Sequence, residues 1–353
     1  MTLPTLRWGI IGTGLISSWF VSDLVETRED AQATHLIQAI GSSSDTKAQA
    51  FIKEHSPNSN PSLYSSYDGV YADPNVDIVY IGLPHVFHKE ACLQAISHGK
   101  HVLCEKPFTV NAREAKEVFE AARQKGVFVM EALWTRFMPL VRQLTQIIHV
   151  DKAIGNVHRV FCDFGLDIDL DNLPDSSRLK DPALGAGSLL DIGIYSLTWG
   201  LLLLEDHPPD DAAQPQVFSA QTLHAGADIA TSIILSYPDS GRQGILTSTM
   251  QTKTNPVFAR VEGSRGSITI EGVAASLPGK FTVFSKDAKM EPVVYEAPKS
   301  PGKGFFYEAD AVALDIAAKR VENEIMPWKE TVRVLEIMDG IRERGGGHFP
   351  QDD

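Results

Sequence analysis

At 353 residues the chain is too long for one ordinary hydrophobic core and suits two domains. Its 43% hydrophobic and 22% charged residues are ordinary for a globular protein, while a formal net charge of −13 with no offsetting run of Lys and Arg argues against non-specific binding to nucleic acid or anionic membranes. Cys92, Cys104 and Cys162 lie in apolar surroundings without C-x-x-C spacing, which fits a reducing compartment and gives neither a disulfide framework nor a zinc site.

In chain order, Met1–Trp8 lacks the charged-then-apolar build of a signal peptide, so the expected location is cytoplasmic. LRWGIIGTG is an apolar strand running into glycines, and it sets Gly12-x-Gly14-x-x-Ser17 between a strand and a helix. Gly12 lets the chain turn tightly, and Gly14 leaves room for a pyrophosphate against the backbone. The helix N-terminus then supplies free N–H groups and a partial positive charge. Ser17 stands in for the third glycine and still permits close helix–strand packing. The pattern points to a dinucleotide. The second strand, HLIQAIGS, ends without an acid: Ser42, Ser43 and Ser44 stand where Asp or Glu would meet a free ribose 2′-hydroxyl. That favours NADP, with Lys47 in reach of a 2′-phosphate, and NAD is the alternative.

VDIVYIGLP is a third strand, and KHVLCEKP follows a helix that Gly99 stops. NAREAKEVFEAARQKG predicts a helix with Asn111 as N-cap, an apolar stripe at Ala115, Val118, Phe119 and Ala122, and Gly126 at the C-cap. VFVMEALW reads as another strand. The alternation predicts a Rossmann-like, doubly wound parallel sheet over residues 1–137. Lys106 falls at the carboxyl end of a parallel strand, where open α/β sheets bind ligands. Hydride transfer from a carbinol needs a proton acceptor and donors for the developing oxyanion, and Lys106 suits the second task. Its bland alternative is a surface lysine. Pro107 behind it fixes the chain direction and could form a cis bond.

From about Arg159 the chain turns β-rich, with turn signals at Pro238–Gly241 and Gly263–Gly266. A second, α+β domain over 138–353 is expected, built on an open, mostly antiparallel sheet and ending in a helix at about 328–344 with Val334, Leu335, Met338 and Ile341 on one face. In GAGSLLDIGIYSLTW a helix sets Asp191 and Tyr195 four apart on one face. A phenol normally loses its proton near pH ~10, and a neighbouring ammonium lowers that value. Tyr195 then suits a general base in oxidation and an acid in reduction, with Asp191 orienting substrate or Lys106. The alternative is a core tyrosine beside a capping aspartate. Ser188–Leu204 is the longest apolar run, but it contains Asp191 and is short for a membrane span. Asp167–Asp175 is acidic yet lacks the calcium-loop glycine and terminal glutamate, so it reads as a solvated loop, and no metal is expected.

GIIGTG, IGLPHVFHKEACLQAISHGKHVLCEKP and GSLLDIGIY, in that order and spread, resemble the glucose–fructose oxidoreductase / inositol dehydrogenase / MocA (Gfo/Idh/MocA) family over nearly the whole chain. FVMEALWTRFMP, the tyrosine of LLDIGIY, GFFYEADAVA and HFPQDD are similar to its dimeric dihydrodiol dehydrogenase and NADP-dependent D-xylose 1-dehydrogenase branch. The resemblance implies Lys106 as the catalytic lysine, Tyr195 as acid/base and Asp191 beside it. It implies cofactor contacts from Gly12, Thr13, Gly14, Leu15 and Ile16, then from Ser42, Ser43, Lys47, Leu83, His85, His88 and Glu105, and from Lys106, Trp134 and Arg136. Substrate contacts fall at Trp134, Phe164, Asp191, Tyr195 and Phe306. Related NADP enzymes often carry arginine where Ser43 stands, so Lys47 keeps one of two expected cations. The family commonly closes the lysine–proline bond in cis and pairs subunits through the second-domain sheet, which implies a homodimer. The expected function is hydride transfer between a small polyol, a D-xylose-type pyranose or cyclic trans-dihydrodiol, and NADP. The competing readings are an oxidoreductase of a specialised metabolite carrying a carbinol, ketone or imine, and a non-catalytic dinucleotide-sensing regulator with a protein partner.

Overall fold

A computed structural model describes residues 3–206 and 214–353, so the first two residues of Met1–Trp8 lie outside the described residues. The chain begins β1 (Thr5–Ile11), α1 (Leu15–Leu24), β2 (Thr34–Gly41), α2 (Asp45–His55), β3 (Ser62–Tyr64), α3 (Tyr67–Ala72), β4 (Ile78–Ile81), α4 (His88–Ser97), β5 (His101–Glu105), α5 (Ala112–Lys125) and β6 (Val129–Ala132). It continues α6 (Pro139–Thr145), β7 (Val157–Gly165), α7 (Ile194–Leu204), β8 (Gln216–His224), β9 (Ala227–Tyr237), β10 (Arg242–Thr249), β11 (Val257–Gly263), β12 (Gly266–Ala274), β13 (Leu277–Ser285), β14 (Val293–Glu296), α8 (Phe305–Ala317) and α9 (Trp328–Gly345).

These elements form two compact units, Met1–Met138 with Lys299–Val332, and Pro139–Pro298 with Arg333–Asp353. The expectation of one unbroken second domain over 138–353 is corrected: the segment carrying α8 belongs to the first unit. Buried carboxylates hold it there. Asp23 of α1 accepts the backbone N–H groups of Gly304 at 2.7 Å and Phe305 at 2.9 Å, which caps the start of α8. Asp310 on α8 accepts from Arg28 at 2.6 Å and sits 3.0 Å from His35 Nε2.

The first unit has a six-stranded sheet in the order β3-β2-β1-β4-β5-β6, parallel throughout. β4 is buried at every residue, as expected of a strand covered on both faces. Asn111 accepts from the Glu114 N–H at 3.0 Å, and Gly126 ends α5 in the left-handed region, so both caps of that helix stand as expected. VFVMEALW is a shorter strand than expected, because the chain leaves β6 for a 3₁₀ turn, Trp134–Phe137.

The second unit has an eight-stranded sheet in the order β14-β13-β12-β11-β7-β10-β9-β8. β7 and β10 run parallel, and the other pairs are antiparallel. Along β9 buried Ile233 and Leu235 alternate with Ser232 and Ile234 on the other face. The helical stretch Pro182–Leu204 is long and apolar enough to cross a membrane, but 94% of its most apolar window is buried inside the protein, as in a core helix. In α9, Val334, Leu335, Met338 and Ile341 are buried together, as their spacing predicts.

Candidate active site

The expected site residues fall into two groups, one in each unit. In the first unit β1 delivers the chain into Gly12, whose φ of +90° belongs to the left-handed region. Its N–H donates to Gly41 O at 3.3 Å. A Cβ there would lie 3.0 Å from both Gly82 O and Leu83 Cδ2, so Leu83 abuts the turn. Gly14 is the N-cap of α1, no side chain caps the helix, and a Cβ on Gly14 would meet nothing within 4 Å. The first-turn amides thus face open space beside exposed Leu15 and half-buried Ile16. Thr13 Oγ1 lies 3.5 Å from buried Ser42 Oγ, joining the glycine turn to the end of β2. Ser43 and Lys47 are exposed there, with Lys47 in the first turn of α2. Uncapped amides, room at Gly14 and a serine-rimmed strand end beside exposed Lys47 fit a phosphate-bearing dinucleotide.

At the end of β5 the Lys106–Pro107 peptide bond is cis. Glu105 is 3% exposed; its Oε2 accepts the Lys106 backbone N–H at 3.2 Å, and its Oε1 accepts the Tyr80 hydroxyl at 2.6 Å. Burial pushes the Glu105 carboxyl up to about 7, although Tyr80 and Lys106 both favour its charge. Phe108 N donates at 2.9 Å to Glu131 Oε1, and Thr331 Oγ1 donates to Oε2 at 2.9 Å. Burial raises Glu131 to about 7 as well. The Phe108 ring stacks on Phe119 at 4.6 Å. The lysine therefore leaves a strand end that is tied on both sides.

His88 corrects one expectation. It is fully buried, with Nδ1 3.0 Å from Pro107 O and Nε2 2.8 Å from Leu83 O. Burial holds its pKa below the ordinary imidazole value. Fully buried between these two carbonyls, the ring braces the Lys106 loop against the β4 exit rather than facing a ribose. His85 is buried with its ring 5.9 Å from that of His88. Trp134 stacks face to face on Phe305 at 4.1 Å, and Arg136 Nη1 donates to Glu330 Oε1 at 3.0 Å. Phe306 is also corrected. It is 1% exposed, with the Arg28 guanidinium 3.8 Å over its ring, so it is core packing of the first unit with no face left for a substrate.

In the second unit Asp191 lies in a π-helical turn, Leu189–Gly193, that runs directly into α7, and Tyr195 follows one turn later. Both are largely buried, and the Phe164 ring from the end of β7 lies 5.6 Å from that of Tyr195. Two features here escaped the sequence reading. Asp228 Oδ2 accepts from Ser188 Oγ at 2.6 Å, Leu189 N at 2.8 Å and Thr231 Oγ1 at 2.7 Å, so the helix start is capped by a carboxylate 39 residues away from the amide it binds. Arg178 Nη1 sits 3.2 Å from Asp191 Oδ1. Neither partner shares a local motif with its target, so no spacing rule could have found them. Among the described residues no group of three His, Cys, Asp or Glu side chains could hold a metal ion.

The family description "Oxidoreductase family, NAD-binding Rossmann fold" matches residues 6–133, and the GFO/IDH/MocA C-terminal domain matches 141–269. The chain is 34% identical to the D-xylose 1-dehydrogenase (NADP(+)) of Hypocrea jecorina, covering 98% of this chain and 94% of that protein. It is 33% identical to the trans-1,2-dihydrobenzene-1,2-diol dehydrogenase of Bos taurus, covering 98% and 99%. Among solved structures, a levoglucosan dehydrogenase complexed with NADH and levoglucosan superposes with a TM-score of 0.82 at 20% identity, covering 97% of each chain. The aldose-aldose oxidoreductase of Caulobacter crescentus gives 0.79 at 23%, covering 96% of this chain and 97% of that one. At those identities the superpositions speak for the fold.

Proposed function

Because the chain belongs to the Gfo/Idh/MocA family of oxidoreductases, we propose that it moves a hydride between NADP and the carbinol carbon of a small polyol, either a D-xylose-type pyranose or a cyclic trans-diol. The observation that carries this reading is the Asp191–Tyr195 pair, one turn apart at the capped start of α7, in a chain whose Lys106 is held at a parallel strand end. The relatives named for D-xylose and for trans-dihydrobenzenediol supply the substrate class.

A nicotinamide bound at the glycine turn would supply the hydride acceptor in oxidation and the hydride donor in reduction. The chain's own residues handle the rest. Tyr195 takes the hydroxyl proton in oxidation and gives it back in reduction, while the Lys106 ammonium stabilises the alkoxide. Asp191 orients the hydroxyl. Gly12, Thr13 and Gly14 with the first turn of α1 would hold the pyrophosphate, and Ser42, Ser43 and Lys47 would receive the 2′-phosphate.

We also read the second-unit sheet as a homodimer surface. Phe218, Ile234, Ile245 and Phe161 are successive cross-strand partners on β8, β9, β10 and β7, and Phe218 and Ile234 are 56% and 44% exposed. Three free, buried cysteines suit the cytoplasmic location proposed for it.

The test is a spectrophotometric panel of NADP and NAD against aldoses and cyclic diols. We expect NADP reduction with D-xylose or a trans-diol, abolished in Lys106→Ala. Tight NADP binding with no turnover on any polyol would overturn the reading.

A further inference from the structure

Arg178 lies in the connection between β7 and the Asp191 helix, and its placement gives it a defined task. Its side chain is 50% exposed while that of Asp191 is 12% exposed, and the two are 3.2 Å apart. The guanidinium is thus half open to water while the carboxylate it meets is largely buried at the start of α7. A guanidinium carries five donors in a planar fork, and the bond from Nη1 to Asp191 Oδ1 uses one of them. A carboxylate that only accepts thus stands next to a cation that only donates. Two adjacent oxygens on a substrate match that arrangement: one hydroxyl donates to Asp191, and its neighbour accepts from Arg178. Tyr195 lies one helical turn from Asp191 and is walled by the Phe164 ring.

We propose that Arg178, paired with Asp191, reads the oxygen on the carbon next to the one oxidised, and so restricts the enzyme to 1,2-dioxygenated substrates. The inference rests on the hydride-transfer reading above and makes Arg178 a specificity-determining residue.

The experiment compares matched substrates with the NADP-loaded enzyme: trans-cyclohexane-1,2-diol against cyclohexanol, and D-xylose against its 2-deoxy counterpart. Wild type should prefer the dioxygenated member by about 10- to 100-fold in kcat/KM, the span expected for losing a hydrogen bond to a charged group. Arg178→Ala should shrink that ratio by about tenfold, mainly through KM, and Arg178→Lys should recover part of it, since an ammonium still donates to one oxygen. Each ratio is taken within one variant, so a general loss of structure cancels. An unchanged ratio in Arg178→Ala, even with both rates lower, or a wild type indifferent to the second oxygen, overturns the inference alone. No cofactor reduction with any of the four by wild type overturns the hydride-transfer reading and the inference with it.

Discussion

Tyr195 and Lys106 are common side chains, and what distinguishes them is how they are held. Tyr195 follows a helix start fixed by Asp228, and Lys106 follows a buried glutamate whose two oxygens are both engaged. If Tyr195 moves the proton, Tyr195→Phe keeps the ring and its packing on Phe164 but loses the transferable proton. It should lower kcat by about 100-fold or more while NADP affinity, measured by calorimetry, stays at the wild-type value. An equal fall in NADP affinity would assign the residue to folding. The contribution proposed for Lys47 is of a different kind. The lysine stands exposed at the start of α2, so its attraction for a 2′-phosphate is screened by salt. Lys47→Ala should raise the KM for NADP by about three- to tenfold at low salt and leave that for NAD unchanged. A parallel rise for both cofactors would place the lysine elsewhere in the binding event.

Among the elements, β5 and β6 carry an unusual electrostatic load, since Glu105 and Glu131 are both buried on adjacent strands and repel each other. Each has its pKa raised from 4.5 to about 7 in the fold. A raised acid holds its proton longer folded than unfolded, so its stabilising contribution is complete below about pH 4.5 and is lost as pH rises through about 7. Melting temperature should therefore decline from about pH 5 to about pH 8, and Glu131→Gln, which cannot ionise, should flatten that decline. An identical slope in the variant would show that Glu131 does not titrate there. For α7, Asp228→Ala removes the cap that binds Leu189 N and should cost about 1–2 kcal/mol in denaturant unfolding, against less than about 0.5 kcal/mol if the helix start holds itself. These elements also mark where sequence reading succeeds. The glycine turn at Gly12 and both caps of α5 were legible because each is made by residues within a few positions of one another. The assignment of α8 to the first unit was not, because it depends on Asp23 meeting amides 281 and 282 residues away. Strands such as β8, β13 and β14 are hard to read from sequence for a related reason. Segments such as QVFSAQTLH mix polar and apolar residues along a partly exposed strand and owe their pairing to neighbours.

For the whole molecule, the mostly antiparallel sheet and the parallel sheet were both readable from period and turn signals. Which side chains serve the chemistry was only partly so. The residues proposed for the chemistry, Lys106, Asp191 and Tyr195, stand out by position, whereas the packing of His88 and Phe306 and the partners Arg178 and Asp228 follow from contacts between distant parts of one unit. The apolar row from Phe218 to Phe161 belongs to this scale as well. Light scattering should find the wild type at twice the monomer mass and Ile234→Glu shifted to monomer with its fold intact by circular dichroism. A monomeric wild type would leave that sheet face to another partner. The central claim is hydride transfer from a polyol carbon, and isotope transfer tests it most directly. The enzyme would be given NADP and either D-xylose deuterated at C1 or a trans-diol deuterated at its carbinol carbons, and the reduced cofactor examined by mass spectrometry and NMR. Deuterium is expected at nicotinamide C4 with at least one of these substrates. Unlabelled reduced cofactor, or none formed from either substrate while NADP is bound, would contradict it.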